Sequence, residues 1–544
     1  MKGRNKKGNY KQKNFNSKKN FKKPQRFEKP AAEAQIDEIS QKDDGSSFIV
    51  QGLIDRIVQT AGPTLFSLND GTGTLMLKGF DGPGVRAHPE IIENSLIKAT
   101  ISIKEFNNAL EGEISKIEKL SGSEEQKAKK KLSDIERSRA SITPPAFLVK
   151  SPILDKLKSD FTKAATEIRL AVVQNRPIIV RHHNDTDGYS SGFSLEKAII
   201  PLIEKQHGPG KAPWEYFTRA PCSAPFYEID DSIRDTAKSL SDEAKFANKM
   251  PLVIIADNGS SQQDLLGIQQ GKVHGMEFIV IDHHVFEEDV ISKEVLVHIN
   301  PFLVKEDGSK FSAGMLCAEI SRFINPEIKN MEQIAAMAGL ADRIDNSKVI
   351  DDYLKLAKAE GYTKSLLSDI ATVIDFVSAK LRFMEAREYI EVLFGEPMAK
   401  QKSLVALMAP YIRNLESQGL EIAKSAASTE NIGSATLQLL PIEETFPRGF
   451  YPKPGKATGQ LHDSLQEKTP VLVTAGVMPD AITIRATDQA NFSVHDYIAF
   501  VNKKVPGAFA EGGGHKNAGA LRFLPSKQPK VLEALKDFIK SNQN

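Results

Sequence analysis

The sequence reads Phe278-Ile279-Val280-Ile281-Asp282-His283-His284 where a short apolar run ends in one carboxylate and two imidazoles. Such a run is typical of a buried strand in a parallel sheet. Two upstream runs end similarly: Pro177 to Val180 leads into Arg181 to Gly188 (Arg-His-His-Asn-Asp-Thr-Asp-Gly), and Val253 to Ala256 leads into Asp257-Asn258-Gly259. Because helical stretches separate these runs, we predict a parallel sheet with helices on both faces. Ligands of such sheets bind at the carboxyl ends of the strands.

The composition indicates a large intracellular chain. Its 544 residues are 40% apolar, which is enough for about two to four domains. The two cysteines, Cys222 and Cys317, are far apart and exclude a disulfide framework or a zinc ribbon, so we expect a reducing cytoplasm. No apolar run approaches the roughly 18 residues that span a bilayer. We therefore expect no membrane partner.

A basic arm precedes the first predicted domain. The first thirty residues carry twelve Lys or Arg and one acid, Glu28, which leaves 60 of the 72 basic and 69 of the 70 acidic side chains for the remaining chain. Residues 1–46 contain too few apolar side chains to fold alone, and we predict that they are disordered. The arm is either a solubilising tail or a phosphate-binding segment for nucleic acid, and we favour the second.

Short alternating segments between turns predict a five-stranded barrel over residues 47–120. The stretch Thr64 to Gly73 resembles the strand and turn of OB-folds, whose sheet face and loops hold single-stranded nucleic acid. Nucleic-acid binding is the favoured interpretation, and protein contact is the alternative. The candidates for stacking on bases are Phe66, Phe80 and Phe106.

Four further segments follow the barrel. We predict, in chain order, a charged helical linker (121–150), an α/β catalytic domain (151–349), a helical connector (350–430) and a second, smaller α/β domain (431–544). The predicted fold class is therefore α/β, with a β-barrel at its amino-terminal side.

The acidic clusters predict a metal centre. His183, Asp185 and Asp187 alternate, so in an extended stretch they point to one side. Asp257 and His283 follow neighbouring strands, and Asp342 ends a helical stretch. These six side chains offer oxygen and nitrogen but no thiolate, which favours manganese, or magnesium, over structural zinc. Two divalent ions about 4 Å apart activate a water and stabilise both oxygens of a phosphate ester that is being cleaved.

With these motifs the sequence resembles the DHH phosphoesterase family over roughly residues 150–525. The family's motifs are matched by His183 to Gly188, Asp257-Asn258-Gly259, Asp282-His283-His284 and Ala341-Asp342. Ile482 to Ala486 looks like the arginine strand of a DHH-associated domain, and Gly512-Gly513-Gly514-His515 looks like its Gly-Gly-Gly-His loop. The resemblance implies a parallel-sheet catalytic domain followed by this smaller α/β domain.

The resemblance also implies roles for individual residues. One metal would be held by His183, Asp185 and Asp257, and the other by Asp187, Asp257, His283 and Asp342, with Asp257 bridging. His284 would contact the scissile phosphate, while Asp282 would orient the imidazoles beside it. The substrate phosphate would be met by Arg485, Gly512, Gly513, Gly514 and His515.

Within that family the basic arm, barrel and helical connector favour a polymeric substrate. The layout is similar to archaeal RecJ-like proteins, which implies a metal-dependent exonuclease on single-stranded DNA or RNA that releases mononucleotides during DNA repair or replication. One alternative is a replisome component that binds proteins such as GINS, with little or no nuclease role. Another is a phosphodiesterase for nanoRNA or cyclic dinucleotides. The polarity of cleavage and the choice between DNA and RNA stay open.

Overall fold

The protein is described here from a computed structural model that covers residues 31–106, 109–208, 210–246, 248–344, 347–381, 386–447 and 449–542. Residues 1–30, most of the predicted basic arm, lie outside the described residues. The described helices include none that is both long and apolar enough to cross a membrane.

A closed β-barrel forms the amino-terminal part of the described chain. Its strands are β1 (Ala32–Glu33), β2 (Ser47–Gln59), β3 (Thr64–Asn69), β4 (Thr74–Gly79), β5 (Leu96–Phe106) and β6 (Ala109–Lys119). The strand order is β1-β2-β3-β4-β6-β5, and pairing of β2 with β5 closes the barrel. The five predicted strands are confirmed, because the alternating apolar residues of β2 to β6 fill one core.

Two predictions for this region are wrong. The prediction of a disordered arm up to residue 46 fails at its end, because β1 pairs with β2 and Ile36 and Ile39 are buried in the barrel core. Phe66 cannot stack on a base, because it is 0% exposed in the same core. Phe80 and Phe106 remain available, at 62% and 56% exposed.

The predicted charged linker contains a helix that packs against the barrel and the next domain. This helix, α1 (Gly122–Ala140), places Ile135 against Gly71 of the β3–β4 turn. Arg139 donates to the Gly71 carbonyl and to Gln206 of the next domain. Directly between the barrel and that domain, Asp55 of β2 accepts hydrogen bonds from Asn175 (2.7 Å) and Lys249 (2.8 Å).

The region after α1, called the parallel-sheet region, contains five strands that all run parallel, which confirms the predicted parallel sheet. Their order in the sheet is β11-β10-β9-β7-β8. Separate apolar clusters pack on its two faces. β7, β9 and β10 consist almost wholly of buried residues, which explains the apolar runs Ile178 to Val180, Leu252 to Ala256 and Phe278 to Ile281 within them. The elements are α2 (Pro152–Val173), β7 (Ile178–His182), α3 (Thr186–His207), α4 (Ala212–Tyr216), β8 (Phe217–Pro221), α5 (Ile229–Phe246), β9 (Leu252–Ala256), α6 (Gln262–Val273), β10 (Glu277–Ile281), β11 (Val297–Ile299), α7 (Ala313–Ile324) and α8 (Glu332–Ala341).

A helical segment connects this sheet to a second one. Its helices are α9 (Lys348–Ala359), α10 (Lys364–Leu381), α11 (Arg387–Leu393) and α12 (Met398–Ala426). Many of their apolar residues join the core beneath the parallel sheet. The connector is therefore packed onto the parallel-sheet region.

The second sheet is mixed and has the order β12-β13-β14-β15-β17-β16. Only β13 and β14 are parallel among its neighbours, and helices cover an apolar core of its own. Its elements are β12 (Ser428–Ile432), β13 (Ala435–Pro441), α13 (Ile442–Thr445), α14 (Pro454–Gln466), β14 (Leu472–Val477), β15 (Ala481–Ala486), α15 (Val494–Lys504), β16 (Glu511–His515), β17 (Ala518–Arg522) and α16 (Gln528–Ser541).

Candidate metal centre

The register of the parallel sheet brings the predicted ligand segments to one edge. His182, Ala256 and Ile281 are in register on β7, β9 and β10. The ladder continues past the strands, because Asp257 donates from its backbone N to Ile281 (2.9 Å) and Asp282 donates to Ile299 (2.9 Å). The residue that follows each strand therefore enters the same space.

The first motif reaches this space through a turn and a helix start. The prediction that His183, Asp185 and Asp187 alternate in an extended stretch is wrong, because α3 begins at Thr186. Asp185 caps the helix by accepting a bond from the Gly188 N–H at 3.0 Å, and Asp187 lies in its first turn. A Cβ on Gly188 would lie 2.1 Å from the His183 carbonyl oxygen, so the tight turn requires glycine.

Asp257 stands at the centre of the cluster. Its Oδ2 lies 3.5 Å from Nδ1 of His183, and its Oδ1 lies 3.4 Å from Nε2 of His283. Its backbone is left-handed, with φ 62°, a conformation that costs a non-glycine residue about 1–3 kcal/mol and is concentrated at functional sites. The strained backbone thus turns one carboxylate toward two imidazoles.

Two groups of side chains are close enough to hold an ion. His183, Asp185 and Asp257 form one group, and Asp257, His283 and His284 form the other, with all ligand atoms of a group within 4.8 Å of one another. Asp257 belongs to both groups. The first group matches the predicted ligand set, whereas the second contains His284, which was predicted to contact phosphate.

Asp187 and Asp342 approach His283 from different sides. Oδ2 of Asp187 lies 3.9 Å from Nε2 of His283, and Oδ2 of Asp342 lies 3.7 Å from its Nδ1. Nδ1 of His283 is also 3.2 Å from the Gly308 carbonyl. A proton on Nδ1 donates to that carbonyl, which leaves Nε2, on the side of Asp187 and Asp257, as the ligating atom.

The electrostatics of the cluster favour a bound cation. Burial, followed by repulsion from Asp257 and Asp342, raises the pKa of Asp187 well above its ordinary value. Burial raises the pKa of Asp342 to about 6. Oδ2 of Asp187 and Oδ2 of Asp257 are buried and accept no hydrogen bond from the described residues. Buried carboxylate oxygens without donors are stabilised by a metal ion, and the donor set fits one.

Asp282 lies behind the cluster. Its Oδ1 accepts bonds from the His283 N–H (2.8 Å), the His284 N–H (3.3 Å) and the His284 Nδ1 (2.8 Å). Burial would raise the pKa of Asp282, but the His284 and His283 imidazoles and a hydrogen bond from Ser260 together outweigh it and hold that pKa well below the ordinary value. These are the contacts that the predicted orienting role requires.

Several residues that support the cluster were assigned no role from the sequence. A Cβ on Gly308 would lie 2.1 Å from the His283 carbonyl oxygen, and one on Gly314 would lie 2.8 Å from Oδ1 of Asp187. Lys453, just before α14, donates to the Asn184 carbonyl at 2.8 Å and so fixes the second domain to the first motif. Their partners are remote in sequence, so no local pattern indicates them.

The predicted phosphate-binding residues lie on the second sheet. Gly512, Gly513 and Gly514 were expected in a loop, but they form β16, because Lys516 and Asn517 close a hairpin with β17. The Gly512 carbonyl accepts a bond from Gln263 of α6 (2.9 Å), so this strand docks on the parallel-sheet region. The side chain of His515 lies outside what the structure describes. Arg485 lies on β15, beside α14, and its predicted contact with phosphate stays a prediction.

Comparison with known proteins agrees with this geometry. The model of the DHH family, N-terminal domain, matches residues 177–341. The chain is 33% identical over 524 residues to the uncharacterized protein MJ1198 of Methanocaldococcus jannaschii. The matched region covers 90% of this chain and 68% of that protein.

Solved structures are similar over most of the chain. One is a member of the s1p family of ribosomal proteins, PF0399 DHH domain, with 34% identity and a TM-score of 0.72 over 77% of this chain and 99% of that chain. Another is RecJ in complex with Mn2+ from Thermus thermophilus, with 17% identity and a TM-score of 0.49 over 75% of this chain and 59% of that chain. The match to the family model, together with 33% identity to MJ1198 over 90% of this chain, establishes that this chain belongs to the DHH family.

Proposed function

We propose that this chain is a metal-dependent phosphodiesterase that acts as an exonuclease on single-stranded DNA or RNA and releases mononucleotides. The observation that carries the proposal is the position of Asp257, whose two carboxylate oxygens face two imidazoles from different motifs. Membership of the DHH family supports phosphoester hydrolysis as the reaction class.

The donor set supports two divalent ions that share Asp257. His183, Asp185 and Asp257 would hold one ion, and Asp257 and Nε2 of His283 would hold the other. Asp187 lies near the same Nε2, whereas Asp342 lies on the Nδ1 side of the ring. Oxygen and imidazole donors without thiolate suit manganese or magnesium. Such ions supply Lewis acidity and an activated water for the attack on phosphorus.

The protein's own groups position these ligands and the substrate. Asp282 holds the His284 ring through Nδ1, and this ring is part-exposed and directed to the same centre as Asp257. In this proposal His284 donates a hydrogen bond to an oxygen of the scissile phosphate. Lys453 fixes the turn that carries Asp185. The site is thus held from both sheets.

Surfaces outside the centre support a polymeric ligand. Phe80 and Phe106 are exposed on the barrel, and Lys78 lies 4.6 Å from the centre of the Phe106 ring. A cleft of about 570 Å³ between α1 and the barrel is lined by Lys127, Lys130, Lys131 and Arg139, together with Asp37 and Asp134. Aromatic rings beside basic side chains are the usual means of holding single strands.

Hydrolysis of end-labelled single strands with manganese tests the proposal. Asp257→Asn is the informative variant, because asparagine tolerates the left-handed backbone and removes only the charge. Asp351→Asn, on the exposed surface of α9, is the matched control. We expect mononucleotides from the wild type and the control, and none from Asp257→Asn or after chelation of the metal. Absence of products from the wild type would sink the proposal and leave the non-catalytic replisome component.

The length dependence of hydrolysis separates the two enzymatic alternatives. The barrel, the α1 cleft and the second sheet offer more surface than a dinucleotide covers, so we expect long strands to be preferred. Preference for dinucleotides or cyclic dinucleotides over long strands would contradict the exonuclease and favour a small-substrate phosphodiesterase. Products from strands labelled at the 5′ and at the 3′ end give the polarity.

A further inference from the structure

Two guanidinium groups border the same glycine beside the candidate metal centre. Arg343 directly follows Asp342, and Arg485 projects from β15 of the second sheet. A Cβ on Gly459 of α14 would lie 3.7 Å from Nε of Arg485 and 3.9 Å from Nη2 of Arg343. One turn earlier on α14, a Cβ on Gly455 would lie 4.0 Å from Nη2 of Arg485. The two glycines thus leave room for the arginine side chains against the helix.

One carboxylate from the same helix faces this arginine pair. Asp463, one turn after Gly459, lies with its Oδ2 3.1 Å from Nη2 of Arg343 and its Oδ1 3.5 Å from Nη1. Arg485 donates from Nη1 to the Ile484 carbonyl at 2.9 Å, and it makes no carboxylate ion pair within the described residues. Two positive charges therefore share one negative charge.

The charges of the arginine pair favour the binding of a further anion. Burial lowers the pKa of Arg485, and repulsion by Arg343 lowers it further, while Asp463 opposes the shift. The contact between Arg343 and Asp463 is itself exposed, at 67% and 37% for the two side chains. An exposed ion pair is weak and is exchanged easily. An anion that contacts both guanidinium groups gains more binding free energy than Asp463 gains from its contact with Arg343 alone.

We propose that Asp463 is an internal substitute for a phosphate of the substrate strand, and that Arg343 is a substrate-positioning residue. In the free protein Asp463 pairs with Arg343. When a strand binds, one of its phosphates bridges Arg343 and Arg485, and Asp463 turns to solvent. The inference rests on the proposed function, because it takes the ligand to be a phosphodiester chain.

The place of Arg343 in the chain gives this exchange a consequence for catalysis. Arg343 has a left-handed backbone, with φ 57°, and is joined through one peptide bond to Asp342, whose carboxylate lies 3.7 Å from His283. A phosphate bound by Arg343 is thereby placed at a fixed offset from the metal centre. A phosphate held by both arginines would also connect the second sheet, which carries Arg485, with the parallel-sheet region, which carries Arg343.

Strand binding without metal tests the proposal. Fluorescence anisotropy of a fluorescein-labelled oligothymidylate is measured in EDTA, so no strand is cleaved. We expect Asp463→Asn to tighten binding by a factor of about five, which corresponds to the upper end of an exposed ion pair. Arg343→Gln should weaken binding, and in the double variant Arg343→Gln with Asp463→Asn the gain from the asparagine should disappear. Asp480→Asn, an exposed acid at the opposite end of β15, is the control for net charge.

Two results would overturn the proposal. The first is unchanged or weaker strand binding by Asp463→Asn. The second is an equal gain in affinity when Asp463→Asn is combined with Arg343→Gln, or in Asp480→Asn. Hydrolysis by the same preparations is measured separately with manganese. Loss of hydrolysis with the Asp463 effect intact contradicts the proposed function alone. Hydrolysis with no Asp463 effect contradicts only this inference.

Discussion

Replacing Gly314 by alanine should disturb the metal centre from behind. Gly314 lies in the first turn of α7 and donates its N–H to Oδ1 of Asp187 at 3.0 Å. An added Cβ would lie 2.6 Å from the Cβ of Ala338 on α8 and 2.8 Å from that Asp187 oxygen. Carbon atoms in contact are normally about 3.5–4.0 Å apart, so α7 and α8 must separate by about 1 Å, and Asp187 must also move away from the added methyl group.

The expected magnitude follows from both contacts. Overpacking of this kind destabilises a fold by about 1–3 kcal/mol. Displacing a carboxylate held by its supporting hydrogen bond lowers metal affinity by about 10- to 100-fold in known metal sites. Gly314→Ala should therefore bind manganese much more weakly while it unfolds at a moderately lower temperature.

Titration calorimetry with manganese and thermal unfolding measure these two effects. Gly62→Ala is the matched control, because its Cβ would meet only Oγ1 of Thr60, at the ordinary distance of 3.7 Å. Wild-type manganese affinity in Gly314→Ala would refute the assignment of Asp187 to the centre. A loss of affinity in both variants would show that the effect is not specific to this glycine.

Three further predictions concern the barrel and the core. Phe80→Ala and Phe106→Ala should each weaken single-strand binding by about 1–3 kcal/mol, the value of a lost stacking contact, without lowering the unfolding temperature. Phe66→Ala should instead destabilise the buried barrel core by about 3–5 kcal/mol. If only Phe66→Ala weakened binding, Phe66 would be the stacking residue, and Phe80 and Phe106 would not. Replacing Lys127, Lys130 and Lys131 together by glutamine should weaken the salt dependence of strand binding. The slope of the logarithm of the binding constant against the logarithm of the salt concentration should fall by about 0.7 for each lost phosphate contact. An unchanged slope would exclude the α1 cleft from the binding path of the strand. Arg181→Met should destabilise the parallel-sheet region by about 3–5 kcal/mol in a denaturant titration, because it removes the charge partner of the buried Asp235, whose Oδ2 accepts from Arg181 at 2.9 Å. Arg234→Met, which replaces an exposed arginine of the same helix as Asp235, should have little effect.

The sequence predicts the parts of the site that depend on local order. Apolar runs followed by acidic or histidine residues identify β7, β9 and β10. The parallel register of these strands then brings His183, Asp257 and Asp282 to one edge of the sheet. The alternation of the five barrel strands is also a local property. It identifies strands, but aromatic residue type alone does not distinguish a ring that stacks on a base from a core ring: Phe66 is buried in the barrel core, whereas Phe80 and Phe106 are exposed.

What the sequence does not predict depends on contacts between distant segments. Gly308, Gly314 and Lys453 support the centre only because α7, α14 and the loop after His283 pack against it. The three glycines from Gly512 are a strand because β17 pairs closely with them; a Cβ on Gly512 would lie 2.1 Å from the Ala520 carbonyl oxygen. A glycine run by itself has the same composition in a loop and in such a hairpin.

Manganese stoichiometry tests the central claim, a two-ion centre that shares Asp257, most directly. Equilibrium dialysis of the purified protein, with metal counted by atomic absorption, should give two manganese ions for each wild-type chain and for Asp351→Asn. Because Asp257 contributes an oxygen to each group, Asp257→Asn should lose tight binding of both ions. A single ion in the wild type, or two tightly bound ions in Asp257→Asn, would contradict the shared centre.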